Sequence, residues 1–586
     1  MGKIASITGA IVVSILATKL QVKSRPYLEL GQNSLKLFSR FEDRELCKSV
    51  FGAKWNPREK CWEYPLRPET LSQLVAVFPG LTVAPEVKLA IAEIAEREAL
   101  AAQIKAEGWQ DAEPIEPMPI KTRPFKHQIA AYNMALNLPA AGLLMEQGCG
   151  KTITAIAIVG RRFQRGEVHR LLVVAPASVV PVWPLEFKLH ADFSHRCRAL
   201  EGPISKRIEE LEYNSFDHSA APAPLDVVVT NYEAVWRMEE ALAKWNPDMI
   251  ICDESQRIKT PGAKQSKAMH RLGKRAKYKL ILTGTPVTQG PLDFFSQYKF
   301  LEPSIFGNSY YAFRARYAVM GGYENRQVVG YKNLAELIKK AHSIAFRVTK
   351  EEALDLPPFT DQVMYCELER KAMGIYTQLK KESVAELSQE KILTATNVLS
   401  RLLRLSQLTG GYLGDGEGGI EQVSKAKLNL LEETLDDLVV GTGKKIIIFA
   451  RFLPEIMAIR KLLEAKGIDY EWIAGEVKME ERGEAVRRFQ EDEGCKVFVA
   501  QIQTAGLGIT LTAADTAIFY SLDFSFANYD QARARLHRIG QRNAVTYIHL
   551  VARDTVDEKI LAALKDKKDV ATEVVDNWRD YFKEPI

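Results

Sequence analysis

Short runs of β-branched and aliphatic residues return along the chain at 171–174, 226–229, 249–251 and 279–282, and segments with helical spacing of apolar residues separate them. Strands that are apolar throughout, alternating with helices, predict a parallel sheet covered by helices on both faces. A second series opens at 445–449 with Lys-Ile-Ile-Ile-Phe and continues at 496–500, 517–520 and 547–551. Two such lobes are therefore expected, over 119–300 and 426–586, with a mostly helical insertion at 301–425 between them. The Gly-rich stretch 410–419 reads as a loop. Ahead of the lobes, residues 1–85 form a small α+β unit. Residues 86–118 read as a helix and linker, because the acidic, proline-containing run 111–119 cannot stay helical.

The length of 586 residues fits three to five domains at roughly 100–200 residues each. A 46% hydrophobic and 26% charged composition is that of a soluble globular chain. The net charge of +5 is too small to identify a nucleic-acid partner. The basic cluster Lys274, Arg275, Lys277 and Lys279 reads as a solvated face. Seven scattered cysteines without a CxxC pair exclude a zinc ribbon and fit a reducing, cytoplasmic compartment. The apolar stretch from Ile4 to Leu20 is shorter than the ~20 residues that span a bilayer and carries Ser6, Thr8, Ser14 and Thr18. It is expected to be the β-rich start of a soluble domain rather than a membrane anchor.

Between a strand at 141–145 and a helix at 152–163 lies Glu146-Gln147-Gly148-Cys149-Gly150-Lys151-Thr152. Glycines let backbone N–H groups wrap a phosphate, and the helix N-terminus adds a favourable dipole. Lys151 can reach the β- and γ-phosphates of a nucleotide, and the Thr152 hydroxyl can ligate Mg²⁺. Met145 stands where the full GxxxxGK[ST] pattern has its first glycine. About 100 residues on, an apolar run ends in Asp253-Glu254-Ser255-Gln256. Carboxylates at the carboxyl edge of a parallel sheet sit where such sheets bind ligands. Asp253 would hold Mg²⁺ through water and Glu254 would orient the attacking water. The Gln128 amide can donate and accept at once, which suits an adenine edge; a solvated surface glutamine is the alternative. In the second lobe, Gln531, Arg535 and Arg538 share one face if 531–541 is a helix. Two arginines on one face suit a γ-phosphate across a cleft, because the guanidinium binds phosphate oxygens bidentately.

The order of the phosphate loop, Asp253-Glu254-Ser255-Gln256, Thr283-Gly284-Thr285-Pro286 and the run from Gln531 to Gln541 resembles the Swi/Snf-type ATPases of helicase superfamily two. So do Val174-Ala175-Pro176 with Ser178, Trp183 and Glu186, Leu301-Glu302-Pro303, and Thr349-Lys350 before Leu356-Pro357-Pro358. The resemblance covers about residues 120–570. It implies two RecA-like lobes with a helical Swi/Snf-type insertion, ATP and Mg²⁺ as cofactors, and a DNA-dependent ATPase that tracks along double-stranded DNA. It also implies a nucleotide set extending to Gly508 and Gln531, and DNA contacts by Pro176, Ser178, Trp183, Thr283, Gly284, Thr285, Arg451, Thr504 and Gly506. The chain departs from the family at Gln289, Val348 and Phe524-Ser525-Phe526, positions that bear on DNA contact.

In the first unit, Phe38, Phe41, Lys54-Trp55-Asn56-Pro57 and Lys60-Cys61-Trp62 resemble a HARP domain, the module of annealing helicases. A small α+β domain with Trp55 and Trp62 in its core is the alternative. Together these resemblances imply a bacterial or bacteriophage protein, expected to be monomeric, that remodels or anneals duplex or forked DNA in replication, recombination or repair, with replication or repair proteins as further partners. A strand-separating helicase or protein–DNA remodeller stays open, as does an inactive DNA-binding module, although intact Lys151, Asp253, Glu254 and Arg538 argue against the last.

Overall fold

The computed structural model describes residues 26–571, apart from 32–33, 51, 214–222, 289, 322–326, 354–355, 390–394, 415–418, 476, 478, 508, 524 and 539. The segment from Ile4 to Leu20, Gln289, Phe524 and Gly508 lie outside the described residues.

Lobe 1 is a seven-stranded parallel sheet in the order Ala345–Val348, Ala140–Met145, Tyr278–Leu282, Met249–Asp253, Arg170–Ala175, Leu225–Asn231, His195–Ala199. Its central strands are largely apolar because helices cover both faces, whereas the edge strands carry Arg347 on one side and His195, Arg196 and Arg198 on the other. Leu143, Val173, Val227 and Ile251 pack toward one helical layer, and Leu172, Val174, Val228 and Ile250 toward the other. Each fully buried aliphatic side chain contributes roughly 1.5–3 kcal/mol. Register sets the geometry of the site. Leu143 stands beside Leu282, which stands beside Asp253. The turns after Met145, Asp253 and Leu282 therefore leave the sheet along one carboxyl edge.

Lobe 2 repeats the plan with six parallel strands, in the order Phe359–Cys366, Val545–Ala552, Thr516–Phe519, Ile446–Ala450, Val497–Gln501, Tyr470–Ile473. These are two RecA-like lobes. The intervening region departs from the expected helical insertion over 301–425. Its residues 345–348 pair with Ala140–Met145 as an edge strand of lobe 1, and 359–366 pair with Val545–Ala552 as an edge strand of lobe 2. Residues 318–321 and 327–331 form an antiparallel hairpin. Within the expected loop 410–419, Tyr412–Gly414 forms a short strand that pairs with Ile420–Gln422 just beyond it. The helices Arg370–Gln389 and Ala395–Thr409 supply the helical part.

The first unit is a five-stranded mixed sheet, Lys54–Asn56, Cys61–Pro65, Ser34–Phe38, Tyr27–Leu30, Thr82–Val83, antiparallel except for its last pair. Trp62 lies in its core with Leu28, Leu35 and Leu37. Trp55 does not; it packs edge-on against Trp62 at 5.4 Å and leaves half its surface exposed. The helix Pro85–Glu107 follows and stops at Gly108, whose φ of 82° favours glycine. The acidic run beyond it lies along lobe 1, where the Tyr132 hydroxyl donates to the Pro117 carbonyl at 3.0 Å and Asn133 Nδ2 to that of Glu113 at 2.7 Å. An ion pair of Arg67 with Glu302, 2.5 Å, joins the first unit to lobe 1. No helix among the described residues is long and apolar enough to cross a membrane.

Candidate active site

The phosphate loop turns on two left-handed residues, Gly148 (φ 88°) and Gly150 (φ 84°). A methyl group at Gly150 would collide with Gln128 Nε2, and one at Gly148 would meet Arg538 Cβ, from the other lobe, at 3.1 Å. Both positions thus need glycine for space as well as for torsion. The helix Lys151–Gln164 starts directly after the loop. Lys151 Nζ donates to the carbonyls of Met145 at 3.1 Å and Glu146 at 3.4 Å, so its ammonium lies within the curve of the loop.

Gln128 ties this loop down rather than lying on the surface. Its Nε2 donates to the Cys149 carbonyl at 3.1 Å and its Oε1 accepts from the Phe125 N–H at 3.0 Å. The amide keeps one N–H and one lone pair for a further partner. His127 Nε2 meets the same Cys149 carbonyl at 2.8 Å. Cys149 itself is fully buried, its N–H donates to the Glu146 carbonyl at 3.2 Å, and burial pushes its thiol up to about 11. Its side chain has no access to a ligand.

Asp253 ends its strand at the floor of the cleft. Burial, then the charge of Glu254, push its carboxyl up to about 7, against the opposing pull of Lys151. The Trp183 indole N–H donates to Asp253 Oδ2 at 3.0 Å. Trp183, expected at the DNA, is 1% exposed and serves instead to hold this carboxylate. Pro176 is likewise buried, with its carbonyl accepting from Val179 N–H at 2.8 Å, whereas Ser178 in the same turn is partly exposed.

Glu254 adopts a left-handed conformation (φ 52°), which turns its side chain off the strand axis. A relay then runs away from it. Gln256 Nε2 donates to Glu254 Oε2 at 2.8 Å, the Thr283 hydroxyl donates to Gln256 Oε1 at 2.8 Å, and the Thr285 N–H donates to Thr283 Oγ1 at 3.0 Å. Ser255 and Pro286 are joined through Gln297, at 2.6 and 2.7 Å. Thr283 and Thr285 are buried in this relay, and a methyl group on Gly284 would meet Gln147 N at 3.1 Å. These three residues sit against the phosphate loop.

The arginines arrive from lobe 2, but not on one helical face. The helix Phe526–Arg533 ends before them, and Arg535 and Arg538 project from the following turn. Both line one cleft of about 420 Å³ with Gln128, Lys151, Thr152, Asp253 and Glu254. Burial, then Arg538, push Arg535 down to about 10, while Glu254 opposes the shift. Burial lowers Arg538, against the pull of Glu186 across the cleft. Gln531 is partly exposed and does not line this cleft. Arg451 is also apart from it, with Nη2 3.5 Å from Asp523 Oδ1. The Thr504 hydroxyl donates to the Gln501 carbonyl at 2.7 Å, in the short helix Ile502–Leu507 that includes Gly506.

Two residues outside the expected set belong to the site. Glu186 lines the cleft wall opposite Arg538. Lys350 reaches the back of the phosphate loop: its N–H donates to Glu146 Oε2 at 2.9 Å, and burial lowers its ammonium while the charges of Asp530 of lobe 2 and of Glu146 oppose that shift. The motif Thr349-Lys350 marked that segment, but only the fold brings it to Gly148.

Known proteins carry the same organisation. Residues 125–409 match the SNF2-related domain and residues 426–540 the helicase conserved C-terminal domain. TATA-binding protein-associated factor mot1 of Aspergillus fumigatus is 30% identical over 493 residues, covering 73% of this chain and 25% of that protein. The uncharacterized ATP-dependent helicase MG018 of Mycoplasma genitalium is 25% identical over 442 residues, covering 75% and 40%. The Sulfolobus solfataricus SWI2/SNF2 ATPase core in complex with dsDNA is 25% identical, covering 79% of this chain and 95% of that chain, at a TM-score of 0.37. The chain belongs to the SNF2-related ATPases of helicase superfamily two, and it spans less than half the length of the curated relatives it matches.

Proposed function

We propose that the chain hydrolyses ATP between its lobes and uses the cycle to track along double-stranded DNA. The observation that carries this reading is the meeting, in one cleft, of Lys151, Asp253 and Glu254 from lobe 1 with Arg535 and Arg538 from lobe 2. Neither lobe alone holds both the phosphate cradle and the cations that offset charge in the transition state. Lys151 leaves its carbonyl partners for the phosphates. Glu254 holds the attacking water, with its carboxylate oriented by Gln256. Arg535 and Arg538 stabilise the charge that develops on the transferred phosphoryl group.

The donor set fits Mg²⁺. The Thr152 hydroxyl and the Asp253 carboxylate are hard oxygen ligands lining the same cleft, and Mg²⁺ is bound through few protein oxygens plus substrate phosphates. When bound, the ion neutralises phosphate charge. The charge it adds beside Asp253 offsets the burial that raises that carboxyl.

The relay from Glu254 through Gln256 to Thr283 and Thr285 links the hydrolytic carboxylate to the strand end that the family resemblance assigns to DNA. Phosphate contacts of that kind are sequence-tolerant and salt-sensitive. We further assign the first unit as a HARP-like module that directs the motor to forked DNA for annealing or remodelling in replication, recombination or repair. What supports this is a separate sheet that buries Trp62 and offers Trp55 at its edge strand for stacking. The test is ATP turnover with and without duplex DNA, followed by displacement of a triplex-forming strand. Turnover indifferent to duplex overturns the motor reading. Displacement of one strand of a plain duplex, with no triplex displacement, favours a strand-separating helicase instead.

A further inference from the structure

A second cleft, larger than the ATP site at about 630 Å³, lies between the first unit and the opposite, amino-terminal edge of the lobe 1 sheet. One wall is Arg67 and the helix Pro85–Glu107, with Arg97 facing in. The other is the turn after the helix Lys264–Gly273 and the start of the strand Tyr278–Leu282. Nine arginine and lysine side chains line it against three carboxyls. Two of those carboxyls are spent locally, Glu302 on Arg67 and Glu167 on Arg162. Among the described residues, Arg97, Lys274, Arg275, Lys277 and Lys279 make no ion pair; Arg97, Lys274, Arg275 and Lys277 are exposed, so the expected solvated face stands and forms the rim of this cleft. Burial lowers the Lys279 ammonium, although Glu302 lies close enough to oppose the shift. Holding like charges together in a walled space costs free energy that a bound polyanion would recover.

We infer that this cleft binds the phosphodiester backbone of a single nucleic-acid strand, as a site separate from the motor cleft. Three observations select that ligand. The unpaired cations come from separate elements on both walls, which suits an extended anion rather than one compact phosphate. The volume admits a strand of a few nucleotides and is too small to enclose a duplex. The lining aromatics are not free to stack on bases: Phe300 is buried, and Tyr278 is buried beneath Arg162, at 3.8 Å, and Lys277, at 5.0 Å. Recognition therefore runs through phosphates and is indifferent to sequence.

The test uses the full chain and fluorescein-labelled dT12, read by anisotropy over a range of salt. Charge reversal of the exposed pair Lys274→Glu and Arg275→Glu, and separately of Arg97→Glu, is the perturbation. None of the three lines the ATP cleft, so turnover without nucleic acid and the melting temperature should match wild type. The double variant should bind dT12 at least tenfold more weakly at 100 mM salt. Its log–log salt slope should fall by about 1.4, from two lost phosphate contacts at ~0.7 each. Lys274→Arg with Arg275→Lys, which keeps both charges, should restore binding. Unchanged dT12 affinity in both reversal variants overturns the proposal. If they lose binding of tripolyphosphate but keep that of dT12, the cleft takes free polyphosphate and the nucleic-acid assignment is overturned. Duplex-stimulated turnover, measured in parallel, reports on the motor reading alone, so the two can fail separately.

Discussion

The two lobes share one architecture and contribute unequally to the chemistry. Both are parallel sheets whose central strands are wholly buried, such as Ile250 and Ile251 in lobe 1 and Ile447 and Ile448 in lobe 2. At its carboxyl edge lobe 1 carries a glycine turn, one lysine and two carboxylates, and can bind a nucleotide. Lobe 2 offers that cleft two arginines from a single turn and no carboxylate. A repeated fold has thus become a two-part site in which hydrolysis depends on how the halves meet. The contact of Arg538 with Gly148 shows how close that meeting is.

The largest effect is expected on the lobe 1 side. Lys151→Ala removes the one lysine that lines the cleft among the described residues, and should abolish measurable turnover while leaving the melting temperature within a degree or two. Near-normal hydrolysis would break the comparison at its root. On the lobe 2 side, Arg538→Ala should reduce kcat by about a thousandfold, as loss of an arginine acting on the transferred phosphoryl group does. Nucleotide affinity should change far less. Equal losses in kcat and affinity would make Arg538 a ground-state ligand, and lobe 2 a mere wall. Glu254→Gln should fall between about a hundredfold and ten-thousandfold in turnover, with ATP binding kept, since an amide cannot take a proton. Gln256→Ala breaks the relay to Thr283 without touching the cleft. Basal turnover should fall only a few-fold, and stimulation by duplex DNA should fall further. A proportional loss of both would show that the relay only positions Glu254.

The same contrast explains what the sequence reveals. The buried central strands are legible because their apolar runs are continuous. The edge strands are not: 345–348 carries Arg347 and 359–366 carries Thr360, Asp361 and Gln362. Arg347 is buried with partners the local sequence does not reveal: its Nη1 donates to the Leu144 carbonyl at 3.0 Å, 203 residues away, and its Nη2 lies 3.6 Å from Glu146 Oε1. The glycine turn, Lys151 and the Asp253-Glu254 pair form motifs whose spacing is local, and they were readable. Trp183 was misplaced because its partner Asp253 lies 70 residues on. A helix running through 531–541 would have put the arginines on one face, but the helix stops at Arg533, where tertiary contacts hold the chain. Arg533 is committed to Asp361 at 2.8 Å, and the Tyr547 hydroxyl donates to its carbonyl at 2.8 Å.

The smallest effect bears on the stability of lobe 2 rather than on catalysis. Glu455 of lobe 2 is fully buried, and burial pushes its carboxyl up to about 7 although the Ser521 hydroxyl donates to Oε2 at 2.5 Å. The N–H groups of Phe452 and Arg451 also donate to Oε2, at 3.1 and 3.2 Å, so the side chain anchors the helix Leu453–Ala465. The other oxygen, Oε1, has no hydrogen-bond partner, and a methyl at Gly410 would collide with it. A carboxyl raised from 4.5 binds its proton more tightly in the folded state than in the unfolded one. Its contribution to stability is therefore greatest below pH 4.5, declines as pH rises through the interval to about 7, and is flat above. At 1.36 kcal/mol per unit the span is on the order of 3 kcal/mol. Glu455→Gln keeps the neutral form and an acceptor for the three donors. The variant should therefore lose the decline in lobe 2 melting temperature between pH 5 and 7 and melt several degrees above wild type at pH 8. Turnover at pH 7 should be unchanged, because Glu455 lies outside the cleft. Parallel pH profiles of melting in the two proteins would show that Glu455 is accommodated as a carboxylate.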